Sequence, residues 1–412
     1  MKKSIRIVIF VFFAALGSCL LNAAEAPPDL RNHSANTRHH INSLRSFVTT
    51  SPTGYSVSQI RHAYGFDQLS LTGAGQTIAL IVAYGSPTLV GDLAAFSKAY
   101  SLPTANLQIY YPQGKPALAD SGWALETSLD AEWAHAIAPG ANLAVVVASS
   151  ASLNSLLSAV DYAVSLGAKQ ISMSWGSTEF PGLTSLESHF AQPGVTFVAA
   201  SGDSGSGVIW PAVSANVIGV GGTSLHLGAA GNVLSELAWS GSGGGVSRYI
   251  ARPAYQNGWN PYGGRGVPDV SYSADPNYGF SVYISNYNRT TGWLNVGGTS
   301  CGTPQWAALI ALANSGRTTS LGGTNTALYS VTSTAYTGDY RDIVTGSNGG
   351  YNASILYDFV TGLGSPVASK IVPLLAAATS ASPVAPAPTP TPTPVPTPPG
   401  GNNPGKHRHD WD

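Results

Sequence analysis

The sequence predicts an α/β domain built on a parallel sheet with helices on both faces. Nearly continuous apolar runs of strand length occur in order along the chain, at residues 77–83, 142–148, 169–175 and 195–200. Segments with a helical spacing of apolar residues, 89–100 and 152–166, alternate with them. Strands that lack polar alternation are buried on both faces, and their alternation with helices favours parallel pairing.

Polar segments follow several of these strands. In parallel sheets, ligands bind beyond the carboxyl ends of the strands. Residues 174–176 and 201–205 lie just past strand runs, and so does the loop that ends at residue 304. Residues 217–300 are richer in glycine and short strands, with the most extreme glycine run at 240–247. We therefore look for chemistry in these loops.

The composition limits the classes of partner. The chain has 412 residues, a formal net charge of -1 and only 9% charged residues. It is long enough to bury a large core, and it has no basic excess to neutralise phosphates, so we expect no nucleic-acid partner. Its 20 Asp and Glu residues offer few carboxylate pairs for acid to disrupt, which suits function at low pH. Exported proteins that work at neutral pH share this composition.

Residues 1–24 have the pattern of a signal peptide, which predicts secretion. Basic residues precede an apolar run at 7–21, and the small residues Ala23 and Ala24 follow it. The run is too short for a transmembrane helix, and no later segment is apolar enough to cross a bilayer. Cys19 leaves a lipid-anchored form as the alternative. Cleavage after Ala24 leaves Cys301 as the single cysteine, without an internal disulfide.

The mature chain divides into three parts by composition. Residues 25–53 are polar and unpatterned, and we predict a short N-terminal extension there. Residues 54–377 form the single large domain. Residues 378–412 begin with Pro/Thr/Ala repeats and predict an extended linker followed by a disordered tail.

The loop at 297–304, Gly-Gly-Thr-Ser-Cys-Gly-Thr-Pro, predicts a serine at the start of a helix. It runs into an apolar series at 306–312, and Pro304 suits the first helical turn. Ser300 would then lie where backbone N–H groups and the helix dipole favour an oxyanion or a nucleophilic oxygen. The alternative is an ordinary capped helix start.

A serine nucleophile needs a base, which is usually a histidine with an aspartate behind it. No histidine here lies in the sequence context of a subtilisin-type triad, although a neutral hydrolase that uses His135 stays an alternative. The helix predicted at 122–138 instead places Glu126 and Asp130 at i and i+4 on one face. Two close carboxyls can share a proton, which gives a base that works in acid. The alternative is a solvated face that carries two acids.

Asp203 is the third candidate carboxyl. It follows the strand run at 195–200, within Ser-Gly-Asp-Ser-Gly at 201–205. It is either a turn residue or a protonated acid that donates a hydrogen bond to a developing oxyanion.

In these motifs the chain resembles the sedolisins, the serine-carboxyl peptidases, which share the subtilisin fold. The similarity covers about residues 55–375 and keeps the order of the Glu-x-x-x-Asp, Ser-Gly-Asp-Ser-Gly and Gly-Gly-Thr-Ser-x-x-x-Pro motifs. It implies that Ser300 is the nucleophile and Glu126 the general base. It also implies that Asp130 tunes Glu126 and that Asp203 stabilises the oxyanion. The implied activity is endopeptidase or tripeptidyl-peptidase cleavage of proteins and peptides at acid pH, and we expect a monomer.

The resemblance also implies a substrate cleft and a calcium site. The segment Ser174-Trp175-Gly176 and the glycine run at 240–247 would flank the cleft, where an extended peptide adds through its main chain. The Trp175 side chain either lines this cleft or packs in the core. Two C-terminal loops would bind Ca²⁺ through Asp342, Ile343, Ser354, Leu356 and Asp358. Relatives have glycines where this chain has Ser354 and Leu356. The alternative is a pair of turn aspartates.

The chain departs from the family pattern at its N-terminus. Sedolisins usually begin with a long prodomain, whereas only the short 25–53 extension follows the predicted signal peptide here. The usual zymogen mechanism is therefore not expected. We predict that Cys301, beside the nucleophile, is a small buried residue. The competing function class is an exported binding or scaffold protein that kept the fold and lost catalysis.

Overall fold

The computed structural model describes residue 30 and residues 33–36, 40–41 and 48–385; of residues 40–41, 331–335 and 337 it describes the backbone alone. The predicted signal peptide, Cys19 and most of the Pro/Thr-rich tail lie outside the described residues. None of the helices within the described ranges is long and apolar enough to cross a bilayer.

The strands and helices alternate through the first half of the chain. The strands are β1 (His40–Ile41), β2 (Thr77–Ala83), β3 (Asn106–Tyr110), β4 (Asn142–Ala148), β5 (Gln170–Met173), β6 (Ser177–Thr178), β7 (Thr196–Ala200), β8 (Ile209–Trp210), β9 (Val217–Leu227), β10 (Val233–Ala238), β11 (Gly245–Ala251), β12 (Gly264–Val267), β13 (Val270–Ser273), β14 (Phe280–Tyr287), β15 (Thr290–Gly297), β16 (Tyr340–Arg341) and β17 (Ser365–Pro366). The helices are α1 (Val57–Ala63), α2 (Leu89–Ala99), α3 (Ser121–Ile137), α4 (Leu153–Ser165), α5 (Thr303–Ser315), α6 (Thr324–Asp339) and α7 (Ala368–Ala377).

A mostly parallel sheet forms the centre of the molecule. Its strand order is β10-β9-β7-β5-β2-β4-β3, and β13 also pairs with β9. All neighbouring strands in the series from β9 to β3 are parallel, and β13 is parallel to β9. Within this sheet, β10 runs antiparallel to its neighbour β9. The predicted fold class is therefore confirmed.

The central strands are buried because helices cover both sides of the sheet. Every residue of β2 from Ile78 to Ala83 is 0% exposed, as expected for a strand without polar alternation. Helix α4 packs on β2 and β4, while α3 and α5 pack on each other and on β2. A second, antiparallel sheet has the order β1-β15-β14 and leads directly into the segment before Ser300.

Candidate active site

Helix α3 carries two carboxyls into the protein interior. Its N-terminus is capped by Asp120, whose side chain accepts a hydrogen bond from the amide of Trp123 at 2.9 Å. The helix packs against α2, α5 and β14, so little of its surface is left to solvent. Glu126 and Asp130 are each 0% exposed. The pair therefore does not lie on a solvated helix face.

Asp130 is held by a serine that follows the neighbouring strand β5. The hydroxyl of Ser174 donates a hydrogen bond to Asp130 Oδ1 at 2.6 Å. Burial raises the pKa of Asp130 well above its usual range, and the carboxyl of Glu126 raises it further, whereas the Ser174 hydrogen bond lowers it. Asp130 therefore retains its proton at pH values where an exposed aspartate is ionised.

Ser300 lies on the turn that connects β15 to α5. Gly298 has a φ of 128°, in the region that favours glycine. A Cβ on Gly302 would lie 2.5 Å from the Cβ of Tyr272, so glycine is required for this close approach. Pro304 stands in the first turn of α5, where its missing N–H has no helical partner to lose. The sequence motif thus forms the predicted turn.

The turn that carries Ser300 lies next to the acid pair. Ser300 is 3% exposed, and its hydroxyl donates to the carbonyl of Ser174 at 3.4 Å. Ser174 therefore contacts the acid pair through its hydroxyl and Ser300 through its carbonyl. Burial raises the pKa of the Cys301 thiol well above its usual value. Three nearby carboxyls raise it further by their charge: Glu126, Asp203 and Asp130.

Asp203 lies on the loop after β7 and faces the turn that carries Ser300. Its Oδ1 accepts hydrogen bonds from the amide and from the hydroxyl of Thr299, each at 2.7 Å. Thr299 Oγ1 in turn accepts from the amide of Gly202 at 3.2 Å. Because Oδ1 is fixed as an acceptor, a proton on this carboxyl belongs on Oδ2. Such a carboxyl can donate to an oxyanion.

A cleft of about 450 Å³ opens in front of these groups. Ser174, Trp175 and Gly176 form one wall, and Asp203 and Ser300 also line it. The Trp175 side chain is 1% exposed, and its indole N–H donates to the carbonyl of Ile81 at 3.0 Å. The Trp175 indole therefore packs in the core, and the backbone of this residue contributes to the cleft.

Two contacts were not predicted from the sequence. The hydrogen bonds from Thr299 to Asp203 and from Ser174 to Asp130 join residues 96 and 44 positions apart. The only signal for Thr299 was its place before Ser300 in the motif, and Ser174 was predicted only as a substrate contact. His135, the alternative base, is buried, and its Nε2 lies 2.8 Å from the carbonyl oxygen of Pro103.

The predicted calcium residues come together in two joined loops. Asp342 Oδ2 accepts from the amide of Leu356 at 3.1 Å, and Asp358 Oδ2 accepts from the amide of Ser354 at 3.2 Å. Leu356 has a φ of 68°, which explains a preference for glycine at this position. Ile343 is buried beside the first aspartate. No group of three or more His, Cys, Asp or Glu side chains suited to a metal occurs among the described residues.

Comparison with known proteins finds relatives in both sequence and fold. The model of the subtilase family matches residues 121–350. Kumamolisin from Bacillus sp. (strain MN-32) is 32% identical over 377 residues, 81% of this chain. The structure of Pseudomonas sedolisin, a serine-carboxyl proteinase complexed with two molecules of pseudo-iodotyrostatin, superposes with a TM-score of 0.70. It is 30% identical in sequence, and the match covers 78% of this chain and 98% of that structure.

The chain belongs to the sedolisin family.

Its curated relatives are longer than the matched region. The matched region spans 66% of kumamolisin. Sedolisin from Pseudomonas sp. (strain 101) is 30% identical over 348 residues, which cover 73% of this chain and 58% of that protein. Membership of the sedolisin family places Glu126, Asp130, Asp203 and Ser300 in a family of serine-carboxyl peptidases. Their individual roles in this chain are taken up as a proposal.

Proposed function

We propose that this chain is a secreted serine-carboxyl peptidase that hydrolyses peptide bonds of proteins in acid. The observation that carries this proposal is the position of Ser174, which contacts a fully buried acid pair through one atom and Ser300 through another. The sedolisin relatives and the complete carboxyl set support a functioning peptidase over a scaffold that has lost catalysis. The signal-peptide pattern at residues 1–24 supports secretion.

In the proposed mechanism the acid pair replaces imidazole. Glu126 takes the proton of Ser300 as Oγ attacks the carbonyl carbon of the substrate, and Asp130 shares its proton with Glu126 to keep the base near the working pH. The oxyanion then accepts hydrogen bonds from the protonated carboxyl of Asp203 and from the Ser300 amide. Glu126 returns its proton to the leaving amine, and water releases the acyl group by the reverse sequence.

Activity on a denatured protein at about pH 4 tests this assignment. Ser300→Ala should abolish hydrolysis. Glu126→Gln should lower kcat by about 100- to 10,000-fold, the range typical of a lost general base. Glu132→Gln is the matched control because it makes the same change on the same helix, at a buried acid that accepts the Tyr283 amide at 3.0 Å. Unchanged activity in either of the first two variants rejects the proposal.

We also propose that the two C-terminal loops bind Ca²⁺. The donors fit this ion, because hard carboxylate and carbonyl oxygens are the ligands that calcium prefers. Asp342 and Asp358 would supply carboxylates, and the backbone carbonyls of Ile343, Ser354 and Leu356 would complete the set. The hydroxyl of Tyr336 donates to Asp342 at 3.0 Å. Burial raises the pKa of this hydroxyl, and the charges of Asp342 and Asp358 raise it further, which supports the proximity of the two aspartates. A bound ion would fasten the loops together.

A further inference from the structure

The loop at residues 201–207, which we call the Asp203 loop, lies against the glycine run at 240–247. The amide of Gly243 donates to the carbonyl of Gly202 at 2.7 Å. A Cβ on Gly243 would lie 2.9 Å from the Cα of Gly202, so the two backbones are in direct contact and a side chain would separate them. The glycine run therefore supports the Asp203 loop from below the cleft.

Asn348 joins these two segments from the C-terminal part of the chain. Its backbone carbonyl accepts from the amide of Ser206, in the Asp203 loop, at 2.9 Å. Its side-chain Nδ2 donates to the carbonyl of Ser242, in the glycine run, at 3.1 Å. Asn348 is 4% exposed, so water does not compete freely for these bonds. One residue thus fixes the Asp203 loop and its support relative to each other.

The Asn348 side chain also builds the turn that presents its carbonyl to the Asp203 loop. Its Oδ1 accepts from the amides of Gly350 and Tyr351, at 3.2 and 2.9 Å. The Asn348 amide donates to the carbonyl of Tyr351 at 3.1 Å. Asparagine favours turns because its side chain can bond to the backbone a few residues further on. The side-chain amide is therefore held at both ends, by its own turn and by the glycine run.

This turn contacts the backbone close to Asp203 itself. Gly205, two residues after Asp203, has a φ of 74°, and a Cβ there would lie 2.7 Å from the carbonyl oxygen of Asn348. On the other side, the Asp203 carboxyl accepts from the hydroxyl of Thr299 at 2.7 Å. The Asp203 carboxyl is thus aligned from two directions. Thr299 holds its side chain, and the turn at Asn348 holds its backbone.

From these contacts we infer that Asn348 is a positioning residue for the reaction and acts through Asp203. The inference rests on the proposed peptidase function and deepens it. Asn348 holds the Asp203 loop where the protonated carboxyl of Asp203 can donate to the oxyanion, which forms only as the reaction proceeds. An interaction made only in the transition state contributes to kcat and not to KM. Loss of the Asn348 side chain should therefore lower kcat and leave KM nearly unchanged.

Steady-state kinetics of Asn348→Ala on a fluorogenic peptide at about pH 4 test this role. Its kcat should fall by about 10- to 100-fold, because a misplacement of about 1 Å can cost that much. Asn260→Ala is the matched control. Asn260 is also buried in a turn, where it accepts from the amide of Tyr262 at 2.9 Å and donates to the carbonyl of Gly264 at 2.8 Å. Its kcat should stay within about twofold of the wild type, and equal kcat values in the two variants overturn the inference.

A double-mutant cycle tests whether the effect passes through Asp203. In the Asp203→Ala background, Asn348→Ala should lower kcat by less than about twofold, because the group that Asn348 positions is already missing. A merely structural role, including damage to the C-terminal loops beside Asn348, would lower kcat by the same factor in both backgrounds. That result overturns the inference and leaves the proposed peptidase function standing.

Gly350→Ala keeps the inference testable if Asn348→Ala does not fold. A Cβ on Gly350 would lie 2.5 Å from the Cβ of Ser206, so this variant pushes the turn at Asn348 away from the Asp203 loop. Its kcat should fall by about tenfold, and the added substitution Ser206→Gly, which removes the clashing atoms, should restore most of it. Wild-type kcat in Gly350→Ala, or a loss that Ser206→Gly does not restore, overturns the inference. A wild-type protein that hydrolyses no peptide contradicts the proposed function instead.

Discussion

In the proposed peptidase, Ser174→Ala should shift the pH range in which the acid pair acts as the base. The Ser174 hydroxyl donates to Asp130 Oδ1 at 2.6 Å, and both residues are at most 1% exposed. A hydrogen bond to a charged group contributes about 1.5–3 kcal/mol. It stabilises the ionised form of Asp130 and so lowers the pKa of a carboxyl that burial and Glu126 raise.

Removing the hydroxyl therefore favours the protonated form of the pair. At about 1.4 kcal/mol for each tenfold change in proton affinity, the acid limb of the kcat/KM profile should move up by about one to two pH units. The assay is kcat/KM on a fluorogenic peptide, measured from about pH 2.5 to 7 to cover both limbs. On the acid side of the profile, kcat/KM of Ser174→Ala should therefore lie well below the wild-type value. On the plateau at higher pH, the two proteins should differ much less.

Ser172→Ala is the control for this prediction. Ser172 is buried on strand β5, two residues before Ser174, and its hydroxyl makes no hydrogen bond to Asp130. Ser172→Ala removes the same hydroxyl oxygen two residues away without removing a hydrogen bond to Asp130, so its acid limb should stay in place. The reasoning fails if Ser174→Ala has the wild-type acid limb, or if both variants move it equally.

Three further predictions concern the oxyanion, stability and calcium. Asp203→Ala should lower kcat by about 100- to 1,000-fold with KM nearly unchanged. Asp203→Asn should lower kcat less, because its amide oxygen can accept from Thr299 and its amide N–H can donate to the oxyanion. Burial raises the pKa of Glu187 to about 7, so its contribution to stability is present below about pH 4.5 and lost as pH rises through 7. Glu187→Gln should then reduce the fall in unfolding free energy between pH 5 and 8 by about 2–3 kcal/mol. The unfolding free energy is measured by urea titration at each pH, and a dependence on pH equal to that of the wild type contradicts this. Ca²⁺ at a hundredfold excess over its Kd should stabilise the wild type by about 2.7 kcal/mol, and Asp358→Asn should abolish that rise in Tm; equal melting with and without the ion speaks against the site.

The sheet and the helices beside it could be predicted because their signals are local. Strands β2 and β4 have the bounds that their apolar runs predict, residues 77–83 and 142–148. The helix predicted at 122–138 forms as α3, Ser121–Ile137. Burial on both faces leaves no polar alternation in such strands, and this pattern is visible in any single segment.

Contacts between distant segments could not be predicted in the same way. Residues 33–36 are a short polar segment that makes isolated β-bridges to Ser152 and Gly176, so neither periodicity nor composition indicates these contacts. The bridges are made by backbone groups, which any sequence would offer. The hydrogen bond from Ser174 to Asp130 likewise depends on how β5 lies beside α3. Only a family resemblance or coordinates can bring such residues together.

The parallel ladder has a consequence for how securely the chemistry is positioned. Ser174 and Asp203 follow β5 and β7, which are neighbours in register from Gln170 with Thr196 to Met173 with Ala199. Adjacent strands lie about 4.8 Å apart at a spacing fixed by backbone hydrogen bonds. The two side chains therefore inherit their separation from the most deeply buried part of the molecule. Surface loops can therefore vary in length and sequence without altering the separation of Ser174 and Asp203.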